Sequence, residues 1–553
     1  MTAAGMAVKF QEKIRQWQPG MWNLCRKISK TLKQKGLGVL RVRVFIVAKL
    51  PDSVNIVDMA TLWSLFVVVV AYLQLARAIS SKSGPQIVQD LSALLSNGSE
   101  VILASDASYA TAFTQRFSVS RPPLYAVAVK PALAADVRQV VQYALRTNVS
   151  ILATGGGHGY TWSLSRHRGG IDVDMSNFNA IKIDSAANTL TVGGSVRSQD
   201  VAAALQAAGK ELPVGLCMCV GYTGFTLGGG IGPYSGLYGT AADSLISAEI
   251  ITGKGELLTV SAKSHPDLFY GLKGAGFNYG IVTSLKFRVY PATNAGQTIV
   301  TNMIFPGYLN GTVFELINSF FGPNQPKELG IALSVGYNEA MGGMVVIIGF
   351  VYAGSEEAST KLLKPFFDLN PINPQVLDVP TDQVPRVIVY GATLSGCNKN
   401  TQFVPYTVNL YKVDVPNLIK VVASMEAEVK ANPELSHVIV TWTQYASAGF
   451  KKFADGSAAF PYRDPTVFVQ INSYAPSAEL VPVISDYAGR LRDRFQQGSG
   501  RSRLETYVHF AHGDETPEAM YSTRKLLSLS VLKVLYDPKG LFSWYNALPT
   551  LRY

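Results

Sequence analysis

Between residues 121 and 292, short runs of Val and Ile alternate with alanine-rich stretches whose apolar positions recur at helical spacing. The pattern predicts strands at 124–129, 151–153, 171–175 and 189–192, and helices at 135–145 and 198–208. From 300 to 500 the strands lengthen, with clear candidates at 340–352, 437–445 and 466–474 and helices between them. Within 466–474, alternation places Phe468, Gln470, Asn472 and Tyr474 on one face and Val467, Val469 and Ile471 on the other. The first face is mixed and polar, as a substrate wall requires, and the second is core. A strand at 506–511 and a helix at 518–534 close the pattern, the strand putting Tyr507 and His509 on one face and Val508, Phe510 and His512 on the other. Mixed strands and helices in these proportions imply an α+β layer structure.

A different pattern precedes this body. No charge occurs from Met59 to Ala76, and the run is apolar enough to enter a bilayer at the lower limit of spanning length. With a basic flank before it, the run reads as a membrane anchor that leaves the body lumenal or extracellular. Ala76-Arg77-Ala78 also resembles a cleavage site, so a cleaved signal and a secreted body is the second reading, and a buried core helix the third. Residues 80–85 read as a linker.

Charge and cysteines narrow the classes further. Of the formal +11, the first 58 residues carry +8, leaving +3 on a nearly neutral body that lacks a basic-aromatic surface for phosphate backbones, so no nucleic-acid partner is expected. Sequons at Asn97, Asn148 and Asn310 agree with an exported glycoprotein. Four cysteines, Cys25, Cys217, Cys219 and Cys397, are too few for a disulfide scaffold. No further ligands flank Cys217-x-Cys219, so no metal site is expected, and Cys219 reads as packing.

Glycine supplies the candidate chemistry. In Thr154-Gly155-Gly156-Gly157-His158-Gly159, three consecutive residues lack the Cβ that would keep a backbone away from a phosphate. Gly215 to Gly232 repeats the logic at greater length and contains Cys217, Val220, Gly221, Thr223, Gly224, Gly228 and Gly229. Neither segment has the later acidic residue of a dinucleotide fingerprint or the terminal Lys-Ser/Thr of a phosphate loop.

Taken together, His158 after its glycines, Cys217-x-x-Val220-Gly221-x-x-Gly224-x-x-Leu227-Gly228-Gly229-Gly230, Gly274-Ala275-Gly276-x-Asn278-x-Gly280-Ile281-Val282 and Lys533-x-x-Tyr536-Asp537-Pro538 resemble the berberine bridge enzyme-like, oxygen-dependent FAD-linked oxidoreductases of the vanillyl-alcohol oxidase superfamily, and fungal biosynthetic members above all. The resemblance covers roughly residues 100–553. It implies FAD bonded through its 8α carbon to His158 and through C6 to Cys217, both raising the reduction potential. The cradle would be Thr154, the neighbouring glycines, Gly280, Ile281 and Val282, and Asn546 would contact the ring or ribityl chain. Val220 resembles the small residue that admits O2, and Ala153-Thr154 depart from relatives that carry a basic residue before Gly-Gly-His.

Tyr507 and His509, in the position of the family's Tyr-Val-Asn-Tyr run, and Gln470 are the candidates for catalysis. The expected architecture is a two-part FAD-binding domain of the vanillyl-alcohol oxidase type from 80–295 and 500–553, with a sheet-based substrate domain over 296–499. The expected reaction is oxidation of a hydrophobic secondary metabolite, hydride passing to flavin N5 and O2 becoming H2O2. A carbohydrate oxidase of the same fold is the alternative, and a non-catalytic flavin-binding or membrane-tethered interaction protein the alternative of another class.

Overall fold

The computed structural model describes residues 82–550. The basic segment 1–58 and the membrane or signal segment 59–78 lie outside the described residues. Among the described residues, no helix is long and apolar enough to cross a membrane.

The expected linker at 80–85 is cut short by a helix, Gly84–Leu94, that begins inside it. Pro85 sits in its first turn, where a missing N–H costs nothing, and the Gln86 side chain accepts the Ser83 N–H at 3.0 Å.

A four-stranded sheet follows in the order Glu100–Leu103, Leu124–Lys130, Arg168–Asp174, Ile151–Thr154. Its last two pairings are parallel, because the helix Ala134–Thr147 carries the chain back between strands. A five-stranded antiparallel sheet stands beside it in the order Ile181–Asp184, Thr189–Gly193, Gly280–Arg288, Leu245–Thr252, Leu257–Ser261. Each sheet has its own core, around Val127, Val140 and Ile171 in the first and around Val192, Ile250 and Leu285 in the second.

A seven-stranded antiparallel sheet takes the order Ile372–Pro380, Gln297–Pro306, Gly343–Tyr352, Leu329–Asn338, Val438–Tyr445, Val467–Tyr474, Phe403–Leu410. The apolar face expected at Val467, Val469 and Ile471 packs with Val404, Val408 and Trp442 under the helices Asn310–Ser319, Val415–Ala431 and Val481–Gln497. Phe468, on the other face, joins the core of the five-stranded layer instead. The period-2 pattern therefore separates a helix-covered side from a side that faces the five-stranded layer.

Two expectations near the C-terminus are corrected. Residues 506–511 form a loop and turn, because the Thr506 N–H donates to Ala519 O and Tyr507 N–H to Asn409 Oδ1, leaving no ladder partner. The helix expected at 518–534 is two helices, Pro517–Tyr521 and Thr523–Tyr536, broken at Ser522, whose φ is 66°. The second helix ends in a buried pair, Lys533 and Asp537, that ties it to the turn at Asn278. The described residues belong to one compact unit.

Candidate active site

The strand Ile151–Thr154 delivers the chain to Gly155–Gly159, and the bend before the helix Tyr222–Leu227 brings Gly221 against it. A Cβ on Gly156 would lie 2.5 Å from Gly221 N, and one on Gly221 would lie 2.7 Å from Gly156 N. Only two glycines allow this backbone-on-backbone approach. It carries Cys217 and His158 to a common point, with Sγ 3.7 Å from the ring Nε2.

His158 is fixed from two further directions. Its ring stacks on Phe117 at 4.6 Å and 7°, and its Nε2 lies 2.7 Å from the Gly396 carbonyl. A carbonyl only accepts, so Nε2 carries the hydrogen. Burial depresses the ring's pKa to about 4, against a weaker opposing effect of that bond, so the ring is neutral at neutral pH and its lone pair stays on Nδ1. The Cys217 thiol is pushed up by burial, while the Cys219 and Val220 N–H groups and Lys399 act the other way. A nucleophilic imidazole nitrogen and a thiol thus converge on a glycine cradle, which suits a flavin held at its dimethylbenzene edge.

The remaining cradle residues differ in what they offer. Thr154 gives its hydroxyl to Asp172 Oδ1 at 2.6 Å, and Tyr109 donates to the other oxygen at 2.9 Å, so Thr154 reaches a cofactor only through its backbone. Burial raises Asp172 to about 6. Thr223 lies in the helix Tyr222–Leu227, its Oγ1 3.4 Å from Gly193 O. Gly228 and Gly229 follow that helix, and Gly280, Ile281 and Val282 open the central strand of the five-stranded sheet. Val220 is partly buried beside this core, and its carbonyl accepts the Ser198 N–H at 2.9 Å.

Asn546 is almost wholly buried, and its amide is used within the protein. Its Oδ1 accepts from Thr161 at 2.8 Å and its Nδ2 donates to Val508 O at 2.7 Å.

Cys219 corrects the sequence reading. It is bonded to Cys397, 178 residues away, and among the described residues Cys217 is the free thiol. Nothing local marks the pairing, because the partner arrives on a segment of the distant half.

Of the catalytic candidates, Gln470 projects from the polar face of its strand and donates to the Tyr160 hydroxyl at 2.7 Å. Tyr160 lies two residues beyond His158 and was missed, although that spacing was visible. Burial holds its phenol well above the ordinary range. Phe403 meets Phe117 and Tyr160 at 5.0 and 5.1 Å, and Tyr474 meets Phe403 at 5.0 Å, making an aromatic wall.

Tyr507 and His509 lie on the loop that packs against the Tyr222–Leu227 helix and the turn after it, with Tyr507 within electrostatic reach of the Tyr160 phenol. The Tyr507 hydroxyl accepts Gly230 N–H at 3.1 Å, and His509, neutral because burial lowers it to about 4, donates from Nε2 to Phe225 O at 3.0 Å. Both brace the glycine segment.

Comparisons with known proteins agree with this geometry. A family model described as an FAD binding domain matches residues 125–261. The FAD-linked oxidoreductase azaL of Aspergillus niger is 35% identical over 459 residues, covering 82% of this chain and 97% of its own. The FAD-linked oxidoreductase srdI of Neurospora crassa is 33% identical over 470 residues, covering 84% and 92%. Among solved structures, the BBE-like 1 protein of Physcomitrella patens matches with a TM-score of 0.74 at 22% identity, over 85% of this chain and all of that one. Xylooligosaccharide oxidase from Myceliophthora thermophila, in complex with xylobiose, matches at 0.71 and 19%, over 85% and 100%. These two show the fold alone. With curated relatives above 30% identity along nearly their whole length, and an FAD-binding domain where the glycine cradle stands, the chain belongs to the family of fungal FAD-linked oxidoreductases and is an oxidoreductase on a berberine bridge enzyme-like fold.

Proposed function

We propose that this oxidoreductase is an O2-dependent oxidase that holds FAD covalently through His158 and Cys217 and oxidises a hydrophobic small molecule, a secondary metabolite. The observation that carries the reading is the 3.7 Å approach of the thiol to a neutral, doubly braced imidazole. When bound, the flavin supplies a hydride acceptor at N5 and returns the electrons to O2 as H2O2.

The protein's own residues do the rest. His158 presents Nδ1 because Gly396 O holds the other ring hydrogen, and Phe117 keeps the ring plane fixed. Tyr160 and Gln470 form a polar pair among Phe117, Phe403 and Tyr474, suited to orient one hydroxyl or amine of an otherwise apolar substrate. The Tyr160 hydroxyl stays protonated, so it donates or relays a proton rather than acting as a standing base. Val220 is the small residue next to the attachment segment, which favours O2 access. Tyr507 and His509 keep the glycine segment in place.

The Cys219–Cys397 disulfide supports a lumenal or extracellular body, since such bonds persist in oxidising compartments. Asn97 and Asn148 are exposed and open to glycosylation there. Export would be directed by segment 59–78.

The test is acid precipitation of purified protein, an absorbance spectrum of the pellet and peptide mass mapping. Flavin retained on peptides containing His158 and Cys217, with peroxide released on turnover of an apolar alcohol or amine, is expected. A colourless pellet sinks the covalent reading, and peroxide release on oligosaccharides alone sinks the substrate class.

A further inference from the structure

A segment of the distant half, residues 396–401, is stitched across the glycine loops and the stretch before them. The Gly396 carbonyl accepts from His158, and a Cβ there would stand 2.6 Å from Cys217 Sγ. Cys397 is bonded to Cys219. Lys399 Nζ donates to Gly156 O at 3.0 Å. Asn400 and Thr401 N–H groups donate to Arg116 O and Phe117 O at 2.9 and 2.8 Å. Five residues of one strap thus reach His158, Cys217, Cys219, the glycine cradle and the segment that carries Phe117.

Lys399 is the charge this strap brings. Arg197 and Arg116 face it and repel it, the Cys217 thiol attracts it, and no carboxylate is among the groups acting on it. The other ionisable neighbours of Cys217 bring it no charge at neutral pH: the His158 ring, 3.7 Å away, is neutral, and Tyr474, raised chiefly by burial, stays protonated. A cation held 3.0 Å from the Gly156 carbonyl therefore lies within electrostatic reach of the thiol, with no carboxylate acting on it.

Resting on the covalent reading above, we propose that Lys399 is a positioning residue for flavin attachment: its ammonium, held on Gly156 by the Cys219–Cys397 disulfide, favours the Cys217 thiolate that makes the sulfur bond to the cofactor. In that step the S–H and C6–H bonds break and an S–C6 bond forms. The two protons and two electrons released are taken by O2, which leaves as H2O2. Burial lowers the Lys399 pKa to about 8, so the ammonium persists at neutral pH and its help fades above that value.

The experiment maps flavin on both peptides in wild type, Lys399→Met, Lys399→Arg and the double variant Cys219→Ser/Cys397→Ser. A neighbouring opposite charge is worth one or more pKa units to a thiol, so Lys399→Met at about pH 7 should keep the His158 bond while the sulfur-bonded fraction falls about tenfold. Incubating that variant in air at rising pH, up to about 10, should raise its sulfur-bonded fraction steadily as the thiolate grows, and Lys399→Arg should retain the bond at about pH 7. The disulfide-free variant should lose sulfur bonding with Lys399 intact. Equal sulfur bonding in Lys399→Met and wild type overturns the proposal, as does loss of both bonds in Lys399→Met and Lys399→Arg alike, which marks a structural role. A wild type bonded through His158 alone overturns both this step and the Cys217 half of the covalent reading.

Discussion

Replacing Lys533 by Met tests the joint that locks the C-terminal helix onto the flavin-binding half. The side chains of Lys533 and Asp537 are fully buried, 2.7 Å apart. The ammonium also donates to Asn278 O and Phe542 O at 2.8 Å, and the carboxylate accepts the Leu541 and Phe542 N–H groups at 2.8 Å. Burial pushes the lysine pKa down and the aspartate pKa up, so each charge survives through the other and through these bonds. Methionine fills similar space but leaves two carbonyls without a donor and a carboxylate without its cation. Removing one partner of such a buried pair costs about 3–5 kcal/mol, a large share of an ordinary domain's stability. Urea unfolding followed by tryptophan fluorescence measures it. In the variant Asp537 binds its proton more tightly folded than unfolded, so the deficit should shrink as pH falls from about 7 to about 4.5. A loss under about 1 kcal/mol, or one independent of pH, refutes the reasoning.

Three further outcomes are expected. Burial holds His167, His509 and His512 at about 4, below the free value of 6.5, so each gives stability above 6.5 that is lost as pH falls toward 4. The ceiling is about 3 kcal/mol for each histidine, and Asp172, raised to about 6, opposes with the opposite sign, so urea midpoints should fall on balance between pH 7 and 4.5. Gly156→Ala drives a methyl into the Gly221 backbone, so its acid-precipitated pellet should carry little flavin absorbance compared with wild type. Tyr160→Phe removes the hydroxyl that Gln470 holds, and kcat should fall about tenfold with the covalent flavin fraction unchanged.

The strand Val467–Tyr474 was legible because one of its faces is buried under helices, and a period of two then fixes which residues remain for the site. Gln470 followed from that alternation. His158 and Cys217 were singled out by the resemblance of the combined motifs, the glycine clusters alone being open to other readings. The loop at 506–511 was misread because its β-rich composition suits a strand, whereas its N–H groups are used by Asn409 and Ala519, which no local pattern reveals. Ser522 interrupts a sequence of good helix formers through a positive φ that composition does not announce.

The sequence by itself determined the alternating layers and the glycine cradle with His158 and Cys217 beside it, since each is written in neighbouring positions. Only the tertiary structure decided that Cys219 pairs with Cys397, that Gly396 orients the His158 ring, that Lys399 reaches Gly156 and that Tyr160 meets Gln470. Those contacts join residues 178 to 310 positions apart, and their geometry is set by how two sheets and their connecting loops pack, a property of no single stretch of chain.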